Sequence, residues 1–227
     1  MKAGEKGMSS EIETVPFEDC ERHSELHMEN WKAKSQPLWI GFFDISLALI
    51  GMLFTLIPML IIAIAIKLDS RGPVFFIQER LGQYKRPIRL IKFRTMRVDA
   101  EEDSPTWAKE NDSRVTLVGR FLRKKRLDEI PQLFNVLKGD LSFVGPRPIR
   151  KYFADLLQRE DPYYDKRFLV KPGVTGWAQI YTSYARTIEQ QLNRLQYDLR
   201  YLNGIAVRDY VRIILLTVMN IIKGKGE

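Results

Sequence analysis

Residues 45–66 read ISLALIGMLFTLIPMLIIAIAI and carry no charged side chain. As a helix with a rise of about 1.5 Å per residue, this run is roughly 33 Å long, enough for the hydrocarbon core of a bilayer. A secretory signal is not expected, because the run starts well inside the sequence, lacks a small-residue cleavage site and is followed directly by Lys67. The run therefore predicts a membrane helix rather than the buried helix of a soluble protein.

Whether this helix crosses the bilayer is a separate question. Pro58 removes one backbone hydrogen bond and clashes with the carbonyl of Phe54, which predicts a kink, and the Thr55 hydroxyl is placed to satisfy part of the freed backbone. Basic residues flank the run on both sides: Lys32 and Lys34 before it, and Lys67, Arg71, Arg80, Lys85 and Arg86 after it. The positive-inside rule therefore gives no orientation. From the residues alone, a re-entrant helix and a spanning helix stay equally open.

The composition is that of a folded, basic chain. The 227 residues are 45% hydrophobic and 28% charged, and the formal net charge is +8. Residues 1–30 hold three basic and eight acidic side chains, so 33 of the 36 basic and 20 of the 28 acidic residues lie in 31–227. Such a cationic body predicts an anionic partner, which is nucleic acid, phospholipid headgroups or a phosphorylated substrate. The single cysteine, Cys20, excludes a disulfide scaffold and a cysteine-rich zinc site.

The sequence divides into a polar, acidic extension over 1–36, the membrane segment over 37–70 and one folded domain over 71–227. In the domain, VFFIQER (74–80) and IRLIKFRTM (88–96) flank a turn, which predicts a β-hairpin. Helical periodicity recurs over roughly 98–110, 116–126, 129–138, 148–160 and 187–202. A last amphipathic segment, 207–224, is as typical of a membrane interface as of a core helix. The predicted fold class is α+β and predominantly helical.

Two adjacent carboxylates, Asp128 and Glu129, follow a basic run that starts at Arg123 and precede a helix with Pro131 in its first turn. One interpretation is structural: Asp128 caps the helix, and Glu129 interacts with the helix dipole and the basic run. The other is catalytic: the helix N-terminus and the cations keep one carboxylate ionised and nucleophilic, while Glu129 holds a divalent cation. The structural interpretation is sufficient for an isolated pair, whereas the nearby membrane segment points to a lipid phosphate substrate.

Other catalytic classes lack their motifs. The sequence contains neither a Walker loop nor GxGxxG, and His23 and His27 lack a glutamate at the spacing of zinc proteases, so a solvated helix is expected there. One non-enzymatic alternative stays open. It is a membrane-anchored interaction protein whose basic surface binds anionic lipid or nucleic acid.

Five motifs occur in order along the chain: DISLALIGMLFTLIP (44–58), GPVFFIQERLG (72–82), KFRTM (92–96), LDEIPQLFNVLKGDLSFVGPRP (127–148) and KPGVTGWAQI (171–180). In this order the sequence resembles the bacterial sugar transferases, the monotopic phosphoglycosyl transferases. The resemblance covers 44–224, about four fifths of the chain. A merely cationic surface would not need an intact Asp-Glu pair with Pro-Arg-Pro, so the resemblance favours the enzyme over the interaction protein.

The resemblance implies a re-entrant membrane helix kinked at Pro58 and a compact catalytic domain with interfacial amphipathic helices. That domain is expected on the cytoplasmic face of the bacterial inner membrane. The implied reaction transfers a sugar 1-phosphate from a UDP-sugar to polyprenyl (undecaprenyl) phosphate, giving a polyprenyl diphosphate sugar and UMP. This is a first membrane step of polysaccharide or glycoconjugate assembly. The implied partners are these two substrates and the phospholipid bilayer, without nucleic acid, and homo-oligomerisation is left open.

The resemblance also implies roles for individual residues. Asp128 is the expected nucleophile, which forms a covalent aspartyl-phosphosugar, and Glu129 is expected to bind Mg²⁺. Arg147, framed by Pro146 and Pro148, is expected to contact the nucleotide. The expected phosphate-binding cations are Arg123, Lys92 and Arg94.

The chain departs from the family pattern at two places. Relatives commonly carry Lys-Arg shortly before the first aspartate, where this chain has WIGFF over 39–43 before Asp44, so basic headgroup contact is not expected there unless Lys32 or Lys34 reaches back. Relatives also commonly place serine before the kinking proline, where this chain has Ile57, so Thr55 is the expected substitute. The sequence assigns no role to 1–36 and identifies neither the sugar nor the pathway.

Overall fold

The computed structural model of the chain describes residues 35–98, 100, 112–182 and 185–223. All of these residues belong to the unit Ala33–Glu227. The extension predicted over 1–36, with its histidine pair and Cys20, lies outside the described residues except for positions 35 and 36. The helix predicted over 98–110 also lies almost wholly outside them.

The described chain folds mostly into helices, with two small two-stranded sheets. The helices are α1 Leu38–Asp69, α2 Leu117–Lys124, α3 Gln132–Lys138, α4 Lys151–Glu160, α5 Trp177–Tyr181, α6 Ile188–Leu199 and α7 Val207–Ile222. Short 3₁₀ segments cover Gln83–Lys85, Leu127–Glu129, Pro162–Leu169 and Arg200–Asn203. The strands are β1 Phe75–Leu81, β2 Pro87–Phe93, β3 Ser142–Val144 and β4 Gly173–Thr175. The predicted α+β class with a predominance of helix is confirmed.

The predicted membrane helix is α1, a continuous helix of 32 residues that runs through Pro58. Within the described part of the chain, it is the one helix long and apolar enough to cross a membrane. Most of its large apolar side chains are exposed, as at Leu53, Phe54 and Ile57. A soluble protein rarely leaves an apolar surface of this extent in water, so α1 requires an apolar environment.

Thr55 does not compensate for Pro58 in the expected way. Pro58 has no N–H to donate to the carbonyl of Phe54, whereas Thr55 Oγ1 donates a hydrogen bond to the carbonyl of Gly51 at 2.7 Å. A helical threonine hydroxyl reaches the carbonyl four residues earlier, which for Thr55 is that of Gly51. The expectation that Thr55 satisfies the carbonyl freed by Pro58 was therefore wrong.

One face of α1 packs against the rest of the unit over the whole length of the helix. Ala48 lies in an apolar cluster with residues of β2 and α3, and Ile66 lies in a second cluster with Phe93 and Leu122. The buried residues of this face are Ile40, Asp44, Ala48, Met59 and Ile66. The helix is thus an integral part of the folded unit, with its other faces left apolar and exposed.

The first turns of α1 are fixed by Asp44, which is only 3% exposed. Its Oδ1 atom accepts hydrogen bonds from Ser142 Oγ at 3.0 Å, from the Phe143 backbone N–H at 2.8 Å and from the Tyr210 hydroxyl at 2.6 Å. One carboxylate oxygen therefore joins α1, the strand β3 and the helix α7. We call these four residues the Asp44 anchor.

The predicted β-hairpin is confirmed. Strands β1 and β2 pair antiparallel, with Phe75 opposite Phe93. The turn between them uses left-handed backbone at Tyr84 (φ 55°) and Lys85 (φ 58°). The hairpin matters for the site because β2 carries Lys92 near its end.

A parallel pair of strands, β3 and β4, was not predicted. Val144 pairs with Thr175, and the Gly173 N–H donates to the Pro146 carbonyl at 2.9 Å. A Cβ on Gly173 would lie 2.1 Å from the backbone nitrogen of Gly145, so the two chains approach closely enough to require glycine. Strands of three residues are too short to show a periodic pattern in sequence. The pair fixes the Pro146-Arg147-Pro148 segment beside β4.

Helix α7 combines the two interpretations that the sequence left open. Tyr210 and Ile213 are fully buried against the unit, as in a core helix. The other side is apolar and exposed, at Val207, Val211, Leu215, Val218, Met219 and Ile222. A helix with one packed face and one exposed apolar face has the character of an interfacial helix.

Candidate active site

The Asp-Glu pair lies in a turn between two helices. Helix α2 is capped by Thr116, whose hydroxyl accepts from the Gly119 N–H at 3.0 Å, and it ends before Arg126, which adopts a left-handed conformation with φ 53°. Asp128 and Glu129 follow in a 3₁₀ turn, and α3 starts only at Gln132.

The prediction that Asp128 caps the next helix was therefore wrong. The N-terminal cap position of α3 belongs to Pro131, and no side chain makes a capping hydrogen bond there. The left-handed residue Arg126 and the 3₁₀ turn separate the carboxylates from the helix start. Asp128 is instead turned towards a cavity, whose wall it helps to form.

Glu129 is held by two cations. Its Oε1 accepts from Lys92 Nζ at 2.7 Å and from Arg147 Nη2, and its Oε2 lies 3.4 Å from Arg147 Nη1. The Glu129 side chain is 12% exposed. Burial raises the pKa of Glu129, but Arg147 and Lys92 together outweigh burial and hold the pKa well below its ordinary value. Glu129 is therefore ionised at neutral pH.

The pKa of Asp128 is shifted in the opposite direction. Burial, and then the charge of Glu129, raise the pKa of Asp128 above its ordinary value, although Lys92, Arg123 and Arg147 act against this shift. The surrounding cations therefore do not dominate the pKa of this carboxylate, because burial and the charge of Glu129 outweigh them. A carboxylate with a raised pKa is more basic and so, when ionised, a better nucleophile.

Lys92 completes the buried group. Burial, the largest effect, and the charge of Arg147 lower the pKa of Lys92, while Glu129 and Asp128 act to raise it. Arg123 stands on the neighbouring side, where its Nε donates to Thr95 Oγ1 at 3.0 Å. The structure thus brings Lys92, Arg123 and Arg147 around the Asp-Glu pair, as the resemblance implied.

Arg94 is placed differently from the other predicted phosphate-binding cations. It is 5% exposed, and its guanidinium donates to Ser70 at both the carbonyl (2.8 Å) and Oγ (3.0 Å), and to the carbonyl of Arg71. These contacts attach Arg94 to the chain just after α1. Arg94 also lines the cavity, so its phosphate-binding role stays a prediction.

The cavity has a volume of about 430 Å³. Six of the predicted site residues form part of the cavity wall: Lys92, Arg94, Arg123, Asp128, Arg147 and Pro148. The other three predicted residues do not line the cavity. Glu129 forms ion pairs with Lys92 and Arg147, Pro146 is buried next to β4, and Pro58 belongs to α1.

Sequence reasoning missed a second group of residues on the cavity wall. Arg167 and Asp198 form a buried ion pair at 2.7 Å, and Arg167 Nη2 also donates to the carbonyl of Arg147 at 2.8 Å. Arg80, Arg150 and Arg194 line the same cavity. Arg167 and Asp198 are 31 residues apart, and only Asp198 lies in a segment with helical periodicity, so no sequence signal joined them.

The carboxylates are compatible with the Mg²⁺ ion that the resemblance implies. Within the described ranges there is no cluster of three or more histidine, cysteine, aspartate or glutamate residues that could hold a metal ion. Mg²⁺ however is commonly held by one or two carboxylates together with water and substrate phosphates. Asp128 and Glu129 provide such a pair, and Glu129 Oε2 is less occupied by its cations than Oε1.

Comparison with known proteins shows which sequences this chain resembles. The family model described as bacterial sugar transferase matches residues 36–224. A relative from Aeromonas hydrophila, UDP-N-acetylgalactosamine-undecaprenyl-phosphate N-acetylgalactosaminephosphotransferase, is 41% identical over 183 residues, which are 81% of this chain and 43% of the relative.

Two further relatives carry the name UDP-glucose:undecaprenyl-phosphate glucose-1-phosphate transferase. The one from Escherichia coli K12 is 42% identical over 77% of this chain and 38% of the relative. The one from Caulobacter vibrioides is 38% identical over 78% of this chain and 67% of the relative. The chain therefore spans about two fifths of the length of the Aeromonas and Escherichia relatives.

Proposed function

The chain belongs to the bacterial sugar transferase family, and from this premise we propose that it transfers a sugar 1-phosphate from a UDP-sugar to undecaprenyl phosphate. The products are undecaprenyl diphosphate sugar and UMP. The observation that carries the proposal is the site itself: a half-buried Asp-Glu pair among Lys92, Arg123 and Arg147, on a turn whose neighbours Leu127 and Ile130 pack in a cluster with Met59 and Ile66 of α1. The named relatives act on these substrate classes.

The charges of the site suit a diphosphate. Glu129 neutralises part of the charge of Lys92 and Arg147, while Arg123 and Arg94 add two further cations to the cavity wall. A UDP-sugar brings a negatively charged diphosphate, which fixed and partly buried cations bind more strongly than they would in water. The same cations would stabilise the negative charge that builds up on phosphorus in the transition state.

In the proposed first step, an ionised Asp128 oxygen attacks the phosphorus that carries the sugar. A bond forms between this oxygen and phosphorus, and the bond from phosphorus to the bridging oxygen breaks. The bridging oxygen leaves with its electron pair on UMP. The sugar phosphate then remains on Asp128 as an acyl phosphate.

In the second step, a phosphate oxygen of undecaprenyl phosphate attacks the same phosphorus, and the Asp128 carboxylate leaves. The enzyme returns to its starting state, and the lipid gains the sugar phosphate. This route suits a soluble donor and a membrane-held acceptor, because the covalent intermediate keeps the sugar phosphate while the two substrates exchange. Glu129 positions Lys92 and Arg147 throughout.

A Mg²⁺ ion held by Glu129, with Asp128 beside it, would neutralise charge on the diphosphate. The other catalytic roles that we propose belong to side chains of the protein. We propose that the side chain of Arg147 contacts the nucleotide. Its backbone is held on both sides by buried prolines, Pro146 and Pro148.

We further propose that α1 is re-entrant and that the unit lies on the cytoplasmic face of the inner membrane. The support is that both ends of α1 are bonded to the same folded unit. The Asp44 anchor holds its first turns, and at its end Asp69 Oδ2 accepts from the Val118 N–H at 3.2 Å. A spanning helix would separate its ends by the thickness of the bilayer. The exposed apolar side of α7 is proposed to rest in the membrane interface.

The test is a UMP-release assay with purified protein, undecaprenyl phosphate and a panel of UDP-sugars. We expect UMP to accumulate over many turnovers with at least one UDP-sugar and only when the lipid phosphate is present. A membrane-anchored interaction protein without catalytic activity would release no UMP under any condition. The panel also identifies the sugar.

A further inference from the structure

The cavity has a second polar region, apart from the Asp-Glu pair. Its wall there is built by the 3₁₀ segment Pro162–Leu169 and by α6, which contribute Arg167, Gln191, Arg194 and Asp198. Two small residues, Ala178 and Ala185, line the same cavity. We call this region the Asp198 pocket.

Asp198 has one occupied and one unoccupied carboxylate oxygen. Its Oδ2 accepts two hydrogen bonds from Arg167, from Nε at 2.9 Å and from Nη2 at 2.7 Å. Its Oδ1 is buried and has no hydrogen-bond partner among the residues that the structure describes, and the residue is 3% exposed. A buried acceptor left without a donor is costly, so this atom, on a residue that lines the cavity, requires an explanation.

The Asp198 pocket is physically connected to the proposed reaction centre. Arg167 donates from Nη2 both to Asp198 and, at 2.8 Å, to the carbonyl of Arg147. The side chain of Arg147 in turn contacts Glu129. A ligand whose diphosphate lies at Asp128 can therefore extend along Arg147 towards Asp198 within one cavity.

We propose that Asp198 Oδ1 accepts a hydrogen bond from a carbohydrate hydroxyl of the donor substrate and so contributes to donor recognition. The hydroxyl belongs either to the transferred sugar or to the ribose. This inference rests on the proposed function, because it assigns a further binding residue to the same donor. It makes Asp198 a specificity-determining residue and not a catalytic one.

The chemistry of the pocket selects a hydroxyl over other ligands. A carboxylate oxygen repels phosphate and accepts only from a donor group. Three guanidinium groups, those of Arg150, Arg167 and Arg194, line the same cavity and make a metal ion or an ammonium group unfavourable there. A neutral O–H group can satisfy Oδ1 without placing a second cation in the pocket. A site built to bond a hydroxyl also discriminates strongly against analogues that lack it.

The first test is the affinity of UDP-sugar, UDP and UMP for Asp198→Asn by calorimetry, with the donor that the wild-type chain binds. Both chains carry Asp128→Asn in this test, so that the donor binds without reacting. The Asn side chain keeps an oxygen for Arg167 and places an NH₂ donor where Oδ1 was, so the hydroxyl loses its acceptor. We expect affinity for UDP-sugar to fall about ten- to hundredfold. If UMP affinity is unchanged, the hydroxyl belongs to the transferred sugar. If UMP affinity falls as well, it belongs to the ribose.

The matched control is Asp165→Asn. Asp165 also has one oxygen paired, with Lys85 Nζ at 2.5 Å, and one buried oxygen without a partner among the described residues, but it does not line the cavity. We expect this variant to bind the donor like the wild-type chain. Equal donor affinity of Asp198→Asn and wild type would overturn the inference while leaving the proposed function intact. Absence of donor binding by the wild-type chain would overturn both.

A second test does not depend on the folding of a variant. Deoxy analogues of the bound donor, each lacking one hydroxyl of the sugar or ribose, are compared on the wild-type chain. We expect one analogue to lose about ten- to hundredfold in affinity, and to lose nothing further in Asp198→Asn if that variant folds. If every deoxy analogue binds like its parent, no hydroxyl is recognised and the inference is wrong.

Discussion

Asp128 and Glu129 are neighbours in sequence with opposite electrostatic environments. Glu129 has two direct cationic partners, so its pKa lies well below the ordinary value. Asp128 has no ion pair with a cation among the described residues, and burial together with the charge of Glu129 raises its pKa. Two carboxylates whose pKa values are pushed apart are suited to different roles. Glu129 is suited to hold cations, and Asp128 is suited to react.

The first prediction concerns the covalent step. With UDP-sugar alone, the wild-type chain should release at most about one UMP per active site and gain the mass of one sugar phosphate. Asp128→Asn should keep the fold but lose the mass gain, and its turnover should fall by about three orders of magnitude or more. Rapid quench and intact-protein mass spectrometry measure both. Asp155→Asn, in an exposed ion pair with Lys151, is the control.

A different result would show a different mechanism. If the lipid phosphate attacks the donor directly, UDP-sugar alone gives no UMP burst and no mass gain. In that case near-zero release by fully active wild-type protein would rule out Asp128 as nucleophile. Because an acyl phosphate hydrolyses slowly in water, the burst must be read within a short quench time.

The second prediction concerns pH. Asp128 must be ionised to attack, so the reaction is lost as the pH falls through the pKa of Asp128, and the raised pKa places this loss at higher pH than for an ordinary aspartate. Glu129→Gln removes the negative charge that raises the pKa of Asp128 and releases Lys92 and Arg147 to lower it. In Glu129→Gln, the acid limb, which is the loss of the single-turnover rate on the low-pH side, should therefore move to lower pH. The maximal rate of the variant should also fall.

The measurement is the rate of UMP release in a single turnover as a function of pH. Glu160→Gln, at the exposed end of α4, serves as control and should leave the acid limb in place. An acid limb that stays fixed, or moves to higher pH, in Glu129→Gln would contradict the assigned coupling between the two carboxylates.

The roles proposed for single residues could be predicted from sequence only where the motif is continuous. Asp128, Glu129 and Arg147 lie within one motif of 22 residues, over 127–148, and the structure brings all three together. The conformation of Asp128 could not be predicted, because Pro131 suggested a helix start that the left-handed Arg126 and a 3₁₀ turn displace. Asp198 gave no signal, since its partner Arg167 is distant in sequence.

At the scale of elements, the long-range hydrogen bonds of the Asp44 anchor decide how α1 is attached. The buried carboxylate of Asp44 receives three donors on one oxygen, from residues 98 to 166 positions away. A hydrogen bond to a charged group in a buried site contributes more than one between neutral groups. Burial, with the nearby Asp44 carboxylate adding to it, also raises the pKa of the Tyr210 hydroxyl, which keeps it a donor at neutral pH.

The third prediction follows from this anchor. Tyr210→Phe removes one donor from Asp44 and leaves the ring packed, so the free energy of unfolding should fall by roughly 1.5–3 kcal/mol. Thermal and denaturant unfolding in nanodiscs measure the change. Tyr163→Phe, at a partly exposed position in the 3₁₀ segment after α4, should have little effect. Equal stability of the two variants would show that the Tyr210 hydroxyl does not hold α7 to α1.

Helices and strands with a long hydrophobic pattern in the sequence could be predicted, whereas the shortest strands could not. The apolar run predicted α1, and the hairpin followed from two strands of seven residues around a turn. The parallel pair β3–β4 was missed because three residues carry no period, although Gly145 and Gly173 mark the close approach. The attachment of α1 at both ends was missed because it depends on partners far along the chain.

At the scale of the whole molecule, α1 and the folded unit must meet the membrane together. The unit contacts α1 near its start, in its middle and near its end, and leaves the remaining faces of α1 apolar. The exposed apolar side of α7 adds to this surface. Both features fit a chain that enters one leaflet and keeps its reactive cavity at the membrane surface, where a soluble UDP-sugar and a lipid phosphate can both reach it.

The fourth prediction tests this arrangement with single cysteines in a Cys20→Ser background. Ser35→Cys lies just before α1 and Arg71→Cys just after it, and both side chains are exposed. Asn203→Cys, also exposed, reports the side on which the folded unit lies. In sealed vesicles, a membrane-impermeant maleimide should label all three positions from the same side, because a re-entrant α1 returns to the face it entered.

The comparison needs sealed vesicles in which most molecules have one orientation, because a random mixture would label about half of every position for either arrangement of α1. In such vesicles, the labelled fractions at residues 35, 71 and 203 should be equal before detergent is added and complete afterwards. A spanning α1 predicts that residue 35 is protected wherever residues 71 and 203 react. It would also require the Asp44 anchor to break, since Ser142 and Tyr210 could not reach across a bilayer about 30 Å thick. Opposite labelling at 35 and 71 in a variant that still releases UMP would therefore exclude the re-entrant arrangement and the anchor together.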